Sequence, residues 1–176
     1  MTKRKKATEW PAQIFEVLKD ADIVQVSYVP DAGHAHLIKA CLADNRIKTT
    51  RLTTEEEGIA LSLGAWLGGE RSALLMQSSG VGNCINMLSI INETRSPLLM
   101  LVTMRGEWGE FNPWQIPMGQ GTSKALEDAG MIVYHVEDAD ELAETVYAAS
   151  QIAFNSYRPV AVLIGQKVIG FKDWRK

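Results

Sequence analysis

The sequence predicts an α/β fold, a three-layer α/β/α domain around a six-stranded, mostly parallel sheet. Two patterns carry this. Short apolar runs alternate with amphipathic segments from end to end, and a helix-length stretch lies on nearly every connection between runs. That alternation is the signature of βα units. A length of 176 residues with 46% hydrophobic content fits one core, since domains cluster near roughly 100–150 residues. No repeat, low-complexity stretch or linker divides it.

In order, a helix is expected over 11–20, with Pro11 pre-organised for its first turn, and the first strand over 23–29. Helices over 35–44, 54–68, 83–93, 120–129 and 139–154 then alternate with strands over 47–50, 73–77, 98–103, 132–136 and 160–164. The domain is expected over residues 9–170, flanked by a basic tail (1–8, holding Lys3-Arg4-Lys5-Lys6) and a short C-terminal tail (171–176).

A net charge of −3 argues against nucleic acid as a partner, because its footprint would be a basic patch or stripe. Cys41 and Cys84 stand in apolar, helix-like surroundings without CxxC spacing, which fits neither a disulfide framework nor a zinc site. A reducing cytoplasm is the expected location. No apolar run approaches the length of a membrane span, and the basic N-terminus lacks a following apolar stretch.

The stretch from Arg51 to Gly69 is the most informative. Thr53 or Thr54 is placed to cap a helix, with Glu56 or Glu57 completing a capping box, and acids in a first turn suit the helix dipole. Capping alone leaves unexplained the apolar composition that follows, Ile59, Ala60, Leu63, Ala65, Trp66 and Leu67. Such a helix is expected to be buried nearly all round. A carboxyl on its first turn would then sit at the rim of the core, where desolvation raises its pKa.

Ligands of open parallel sheets bind beyond the carboxyl ends of the strands, which selects the loops 30–34, 53–57, 78–83 and 104–119. The last is long for such a connection and carries Trp108 and Trp114, so it reads either as a lid or as a subunit interface. Gly80-Val81-Gly82-Asn83 offers backbone amides to a phosphate or simply a tight turn. The dinucleotide fingerprint lacks its third glycine at Ile85, and no P-loop lysine is present. His34 and His36 do not share a helix face. His34 is a candidate acid, base or anion partner, with an exposed loop histidine as the ordinary alternative. His135 is expected to pack within its strand. No nucleophile elbow accompanies Ser78 and Ser79.

Five pieces in order, Val29-Pro30-Asp31-Ala32, Glu55-Glu56-Glu57-Gly58 continuing to Gly64-Ala65-Trp66-Leu67, Met76 to Asn86, Arg105-Gly106-Glu107 and Gln115 to Gly119, resemble the pyrimidine-binding domain of thiamine-diphosphate enzymes. Within that family the resemblance is to α subunits of sulfopyruvate decarboxylases and to the N-terminal half of phosphonopyruvate decarboxylases. It covers about Asp22 to Ile164.

The resemblance implies a cofactor, thiamine diphosphate, and a glutamate that hydrogen-bonds its aminopyrimidine to activate it. Counting back from Ala65-Trp66, matched to the family's Gly-Tyr, selects Glu56. Asp31 is then expected at the reacting end of the cofactor as a second catalytic residue. Pro30, Ser79, Gly80 and Asn83 are expected as cofactor contacts. Gln77, His34, Arg105 and Gln115 are expected at the substrate, where arginine suits oxyanions because its planar fork bonds them in pairs. An alternative for Arg105 is a bridge to Glu107 or Glu110. No residue of this chain is assigned to metal: the family's Gly-Asp-Gly motif, which holds the diphosphate through Mg²⁺, is missing. The implied partner is therefore a β subunit carrying that domain, and the implied reaction is decarboxylation of 3-sulfopyruvate, a small anionic 2-oxoacid. The alternatives are phosphonopyruvate or another 2-oxoacid, carboligation, or a non-catalytic module binding a nucleotide or partner at Gly80.

Overall fold

A computed structural model describes residues 9–171. Its strands are β1 (Ile23–Tyr28), β2 (Lys48–Arg51), β3 (Arg71–Gln77), β4 (Leu98–Thr103), β5 (Ile132–Val136) and β6 (Pro159–Ile164). They form one sheet in the order β2-β1-β3-β4-β6-β5, and every pairing is parallel. The expectation of a mostly parallel sheet thus becomes a wholly parallel one. β4 and β6 are buried along their whole length, as strands covered on both faces must be, and this is why they read as unbroken apolar runs.

The helices are α1 (Trp10–Asp20), α2 (Ala35–Ala43), α3 (Glu55–Leu67), α4 (Ser78–Cys84), α5 (Leu88–Thr94), α6 (Ile116–Asp128), α7 (Leu142–Ser156) and a final turn, α8 (Gln166–Ile169). Successive strand residues point to opposite faces. Ala73, Leu75, Leu99, Leu101, Val160 and Val162 therefore meet α1, α2 and α7 on one side of the sheet. Leu74, Met76, Met100, Val102, Ala161 and Leu163 meet α3, α4, α5 and α6 on the other.

Four expectations are corrected. The segment read as a loop at 78–83 is helical, and the helix expected over 83–93 is two helices, α4 and α5. The long connection after β4 is shorter than it reads, because a 3₁₀ turn at Pro113–Gln115 leads into α6 at Ile116. Proline is tolerated in a first turn because that turn's N–H groups have no partner within the helix, so Pro117 opens this helix and does not end it. α3 is not buried all round: it buries Gly58, Ile59, Ser62, Leu63 and Ala65 but exposes Ala60, Leu61, Gly64 and Leu67. The short helix α8 was not expected at all. The basic tail at 1–8 lies outside the described residues.

Candidate active site

β1 leads into α2 on one face of the sheet and β3 into α4 on the other. The chain therefore diverges between these neighbouring strands, which is where open α/β sheets form their ligand crevice. Asp31, just past β1, reaches across this divide. Its Oδ1 accepts from Gln77 Nε2 at 2.8 Å, and its Oδ2 accepts from the Gly33 N–H at 3.1 Å and from the Thr103 hydroxyl. The ends of β1, β3 and β4 thus share one carboxylate. Gly33 permits this, since a β-carbon there would meet Thr103 Cγ2 at 2.7 Å and Asp31 Oδ2 at 2.9 Å. Asp31, Ala32, Gly33, Arg105, Ile169, Gly170 and Phe171 line a cleft of about 140 Å³.

Three acids open α3, and the fold gives each a different environment. Glu57 reaches back to the helix start, accepting from the Thr53 N–H at 2.9 Å and from the Thr53 hydroxyl at 2.8 Å. These bonds hold its carboxyl below the usual range, and with Thr54 at the N-cap it completes the capping box. Glu56 is exposed. Glu55 turns toward α4, where Asn83 Nδ2 donates to its Oε2 at 2.9 Å and its carboxyl group fills the space beside buried Gly80. Nearby Cys84 is buried, and its thiol is pushed up to about 12 by desolvation, with the charges of Glu55 and Glu56 adding to the shift. It is inert as a nucleophile.

Arg105 lies on the far side of the cleft. Its Nε and Nη2 donate to the two oxygens of Glu110, each at 2.5 Å, a bidentate pair. The side chain of Glu110 is only 3% exposed. The Arg105 fork holds this carboxyl down at about 2, with the Asn112 N–H and the Gln166 amide assisting. Ser78 ties the same loop to β3, its hydroxyl accepting from the Arg105 N–H at 3.0 Å. Gly106 (φ +83°) and Gly119 let the loop fold onto α6, because a β-carbon on either would collide with backbone.

The candidates named from the sequence fall into two groups. Asp31, Gln77, Ser79 and Arg105 surround the crevice, with the Ser79 hydroxyl donating to Gln77 Oε1 at 3.0 Å. Gly80 and Asn83 meet Glu55. Pro30 is exposed at the crevice edge, and Gln115 is half-buried with an Oε1 that finds no hydrogen bond among the described residues.

His34 corrects both of its readings. It is fully buried beneath Asp31, with Nε2 at 3.0 Å from the Leu101 carbonyl, and burial pushes its pKa down. Nε2 is therefore the protonated nitrogen and the ring is neutral. It supports the site from below and meets no solvent. His135 does not pack inside β5. It is 38% exposed, and its Nε2 lies 3.3 Å from Glu107, which raises its pKa.

Sequence reasoning missed the contact of Glu55 with Gly80 and Asn83, Thr103, Glu110 as a buried anchor and Gln166. A hydroxyl closing the apolar run Leu98–Thr103 was a usable signal, as was a glycine pair followed by Asn83. Gln166 carries no motif.

Comparisons with known proteins agree with the fold. The family described as "Pyruvate flavodoxin/ferredoxin oxidoreductase, thiamine diP-bdg" matches residues 27–171. The chain is 36% identical over 152 residues to sulfopyruvate decarboxylase subunit alpha of Methanococcus maripaludis, covering 86% of this chain and 91% of that one. It is 34% identical over 151 residues to the subunit of the same name from Methanocaldococcus jannaschii, with 85% and 89% covered. Phosphonopyruvate decarboxylase of Streptomyces viridochromogenes is 29% identical over 161 residues, 90% of this chain but 41% of that protein. Among solved structures, 2-oxoglutarate:ferredoxin oxidoreductase from Magnetococcus marinus superposes with a TM-score of 0.75 at 18% identity, covering 91% of this chain and 29% of that one. With a thiamine-diphosphate-binding match over most of its length and an α-subunit relative matched nearly end to end, the chain belongs to the sulfopyruvate decarboxylase α-subunit family of pyrimidine-binding domains.

Proposed function

We propose that this chain is the α subunit of a thiamine-diphosphate-dependent decarboxylase that converts 3-sulfopyruvate to sulfoacetaldehyde and CO₂. It works with a β subunit that carries the diphosphate-binding domain and the Mg²⁺. The observation that carries the reading is the contact of Glu55 with Gly80 and Asn83 beside the crevice between β1 and β3. A carboxyl group on a first helical turn, held by one amide and reaching past the strand ends, has the donor and acceptor chemistry an aminopyrimidine needs. Counting along the sequence points to Glu56. What supports Glu55 is its fixed orientation toward α4; Glu56, exposed on the same face of α3 as Ala60 and Gly64, is the alternative that the sequence register gives.

The cofactor supplies the carbanion-stabilising chemistry of decarboxylation when bound. The chain's own residues orient and exchange protons. Glu55 would hold the aminopyrimidine and share a proton with it. Asp31, fixed by Gln77, Gly33 and Thr103, is the group placed to manage a proton at the substrate end. Arg105 Nη1, not engaged by Glu110, is available to a substrate oxyanion. Gln77, bonded to Asp31, Ser79, bonded to Gln77, and Gln115, whose Oε1 finds no hydrogen bond among the described residues, are the polar side chains we assign to substrate contact.

A partner is supported by the relatives named as α subunits and by the apolar stripe Ala60, Leu61, Gly64 and Leu67 left uncovered on α3. Among the described residues, no group of three His, Cys, Asp or Glu side chains is placed to hold a metal ion. Among them, no helix is long and apolar enough to cross a membrane. Phosphonopyruvate is the second substrate to test, given the Streptomyces relative.

The test is reconstitution. The chain alone with thiamine diphosphate and Mg²⁺ should show no robust turnover, and adding the β subunit should restore it. In the complex, Glu55→Gln should lower kcat by about 10²–10⁴ while Glu56→Gln stays within about twofold of the parent, well short of a catalytic loss. The reverse ranking assigns the role to Glu56, and full activity in both variants removes the carboxylate assignment.

A further inference from the structure

Gln166 opens the short helix α8, far in sequence from every motif above, yet it is 1% exposed and uses both ends of its amide. Its Oε1 accepts from the backbone N–H groups of Glu107 and Trp108, at 3.1 and 2.9 Å. Its Nε2 donates to Glu110 Oε2 at 2.9 Å, and its own backbone N–H donates to Glu107 Oε1 at 2.7 Å. Four bonds thus join the end of β6 to the loop after β4. Glu110 in turn accepts from Arg105 Nε and Nη2, the Gly106 N–H at 3.3 Å and the Asn112 N–H at 3.0 Å. Ile169, Gly170 and Phe171, which follow Gln166, form one wall of the cleft beside Asp31 and Arg105.

We propose that Gln166 is a positioning residue, which fixes Glu110 and through it the Arg105 guanidinium at the mouth of the substrate cleft. The proposal rests on Arg105 meeting substrate. An arginine side chain has much rotamer entropy to lose, so a fork already held by a buried carboxylate meets an oxyanion at lower entropic cost. A carboxylate can hold the fork only if it is itself held. The Gln166 side chain bonds both the loop backbone and that carboxylate. It also makes the loop after β4 a fixed wall, against the alternative of a swinging lid.

Gln166→Glu separates positioning from bulk structure. The remaining carbonyl-type oxygen still accepts from the Glu107 and Trp108 N–H groups, while the donor to Glu110 becomes a second carboxyl oxygen. Two carboxylates at that distance do not both stay ionised. At acidic pH a shared proton restores the lost bond, and at alkaline pH repulsion opens it. The charged groups around the position are Arg105 and Glu110, Glu107 with its partner His135, Lys167 paired with Glu137, and Asp31 acting on Arg105. All are common to parent and variant, so the difference between their pH profiles isolates position 166.

The experiment has two arms. In the ¹⁵N-labelled chain, the exchange-protected Arg105 Nε–H signal should persist at pH 5.5 and pH 8 in the parent, but only at pH 5.5 in Gln166→Glu. In the reconstituted complex, KM for 3-sulfopyruvate should rise about tenfold at pH 8 with kcat within about twofold, and the gap should close at pH 5.5. Glu110→Gln, which leaves the Gln166 contacts to backbone intact, should lose the protected signal and raise KM at both pH values. Overturning results are a protected signal in Gln166→Glu at pH 8, or a KM profile parallel to the parent's. A complex inactive on every 2-oxoacid defeats the functional reading but leaves the signal arm to judge the positioning.

Discussion

The carboxyl group of Glu55 occupies the space that a β-carbon on Gly80 would need. One residue's lack of a side chain is another's location, across the gap between α3 and α4. Gly80→Ala should therefore displace Glu55 without damage to the fold, because the obstacle is the tip of a flexible side chain. Alanine also suits a helix interior better than glycine by up to about 1 kcal/mol. The expected outcome is an unchanged or raised melting temperature together with a loss of turnover in the complex comparable to Glu55→Gln. A stable, fully active Gly80→Ala protein would count against Glu55.

Gly119→Ala should behave in the opposite way. A β-carbon there would press on the Arg105 carbonyl and come within 2.7 Å of Gly106 Cα, and backbone cannot swing aside as a side chain can. Overpacking of this kind costs about 1–3 kcal/mol. Denaturant unfolding should show that loss, and the protected Arg105 Nε–H signal should weaken with it.

Burial holds His34 neutral in the folded protein, whereas the unfolded chain protonates it near pH 6.5. A lowered pKa contributes stability above the unfolded value that is lost as pH falls through it. Stability should thus begin to decline below about pH 6.5. The ¹⁵N shifts of the ring should report the Nε2–H tautomer unchanged down to pH 5.5. An imidazolium signal at that pH would contradict the buried geometry.

Glu110 acts in a lower window. Its carboxyl is held near 2 in the fold, chiefly by Arg105, and near 4.3 in the unfolded chain. Its contribution is complete above the unfolded value and disappears as pH drops toward about 2. Between pH 4.5 and pH 2 the melting temperature of the parent should fall more steeply than that of Glu110→Gln.

Much of this architecture is legible without coordinates. The runs at 98–103 and 160–164 announce strands covered on both faces, and the same apolar density makes a parallel sheet the economical reading. Local sequence did less well at 78–94. Two glycines and an asparagine after a strand look like a loop, yet the helix begins at once, because Gly80 answers to Glu55 and not to a turn. The register of the three acids hangs on which neighbour each carboxylate faces, a contact between α3 and α4 that no spacing records. His34 reads as a loop histidine because the strand that buries it, β4, lies 67 residues on. Gln166 is silent for the same reason, since its four bonds reach three residues of a loop 56–59 residues earlier.

The place of β6 in the sheet sets the order in which the molecule can be completed. β5 pairs with β6 and not with β4, and β6 fills the slot between them. Until residues 159–164 leave the ribosome, β4 and β5 each present an unpaired edge, and β5 has no neighbour at all. Apolar edges of that kind recruit other chains, and long-range parallel pairing is slow to form. The nascent protein is therefore most exposed to aggregation while β5 has emerged and β6 has not, and the segment that closes the sheet is the one that next delivers Gln166 to the cleft. Sheet closure and site assembly are one event.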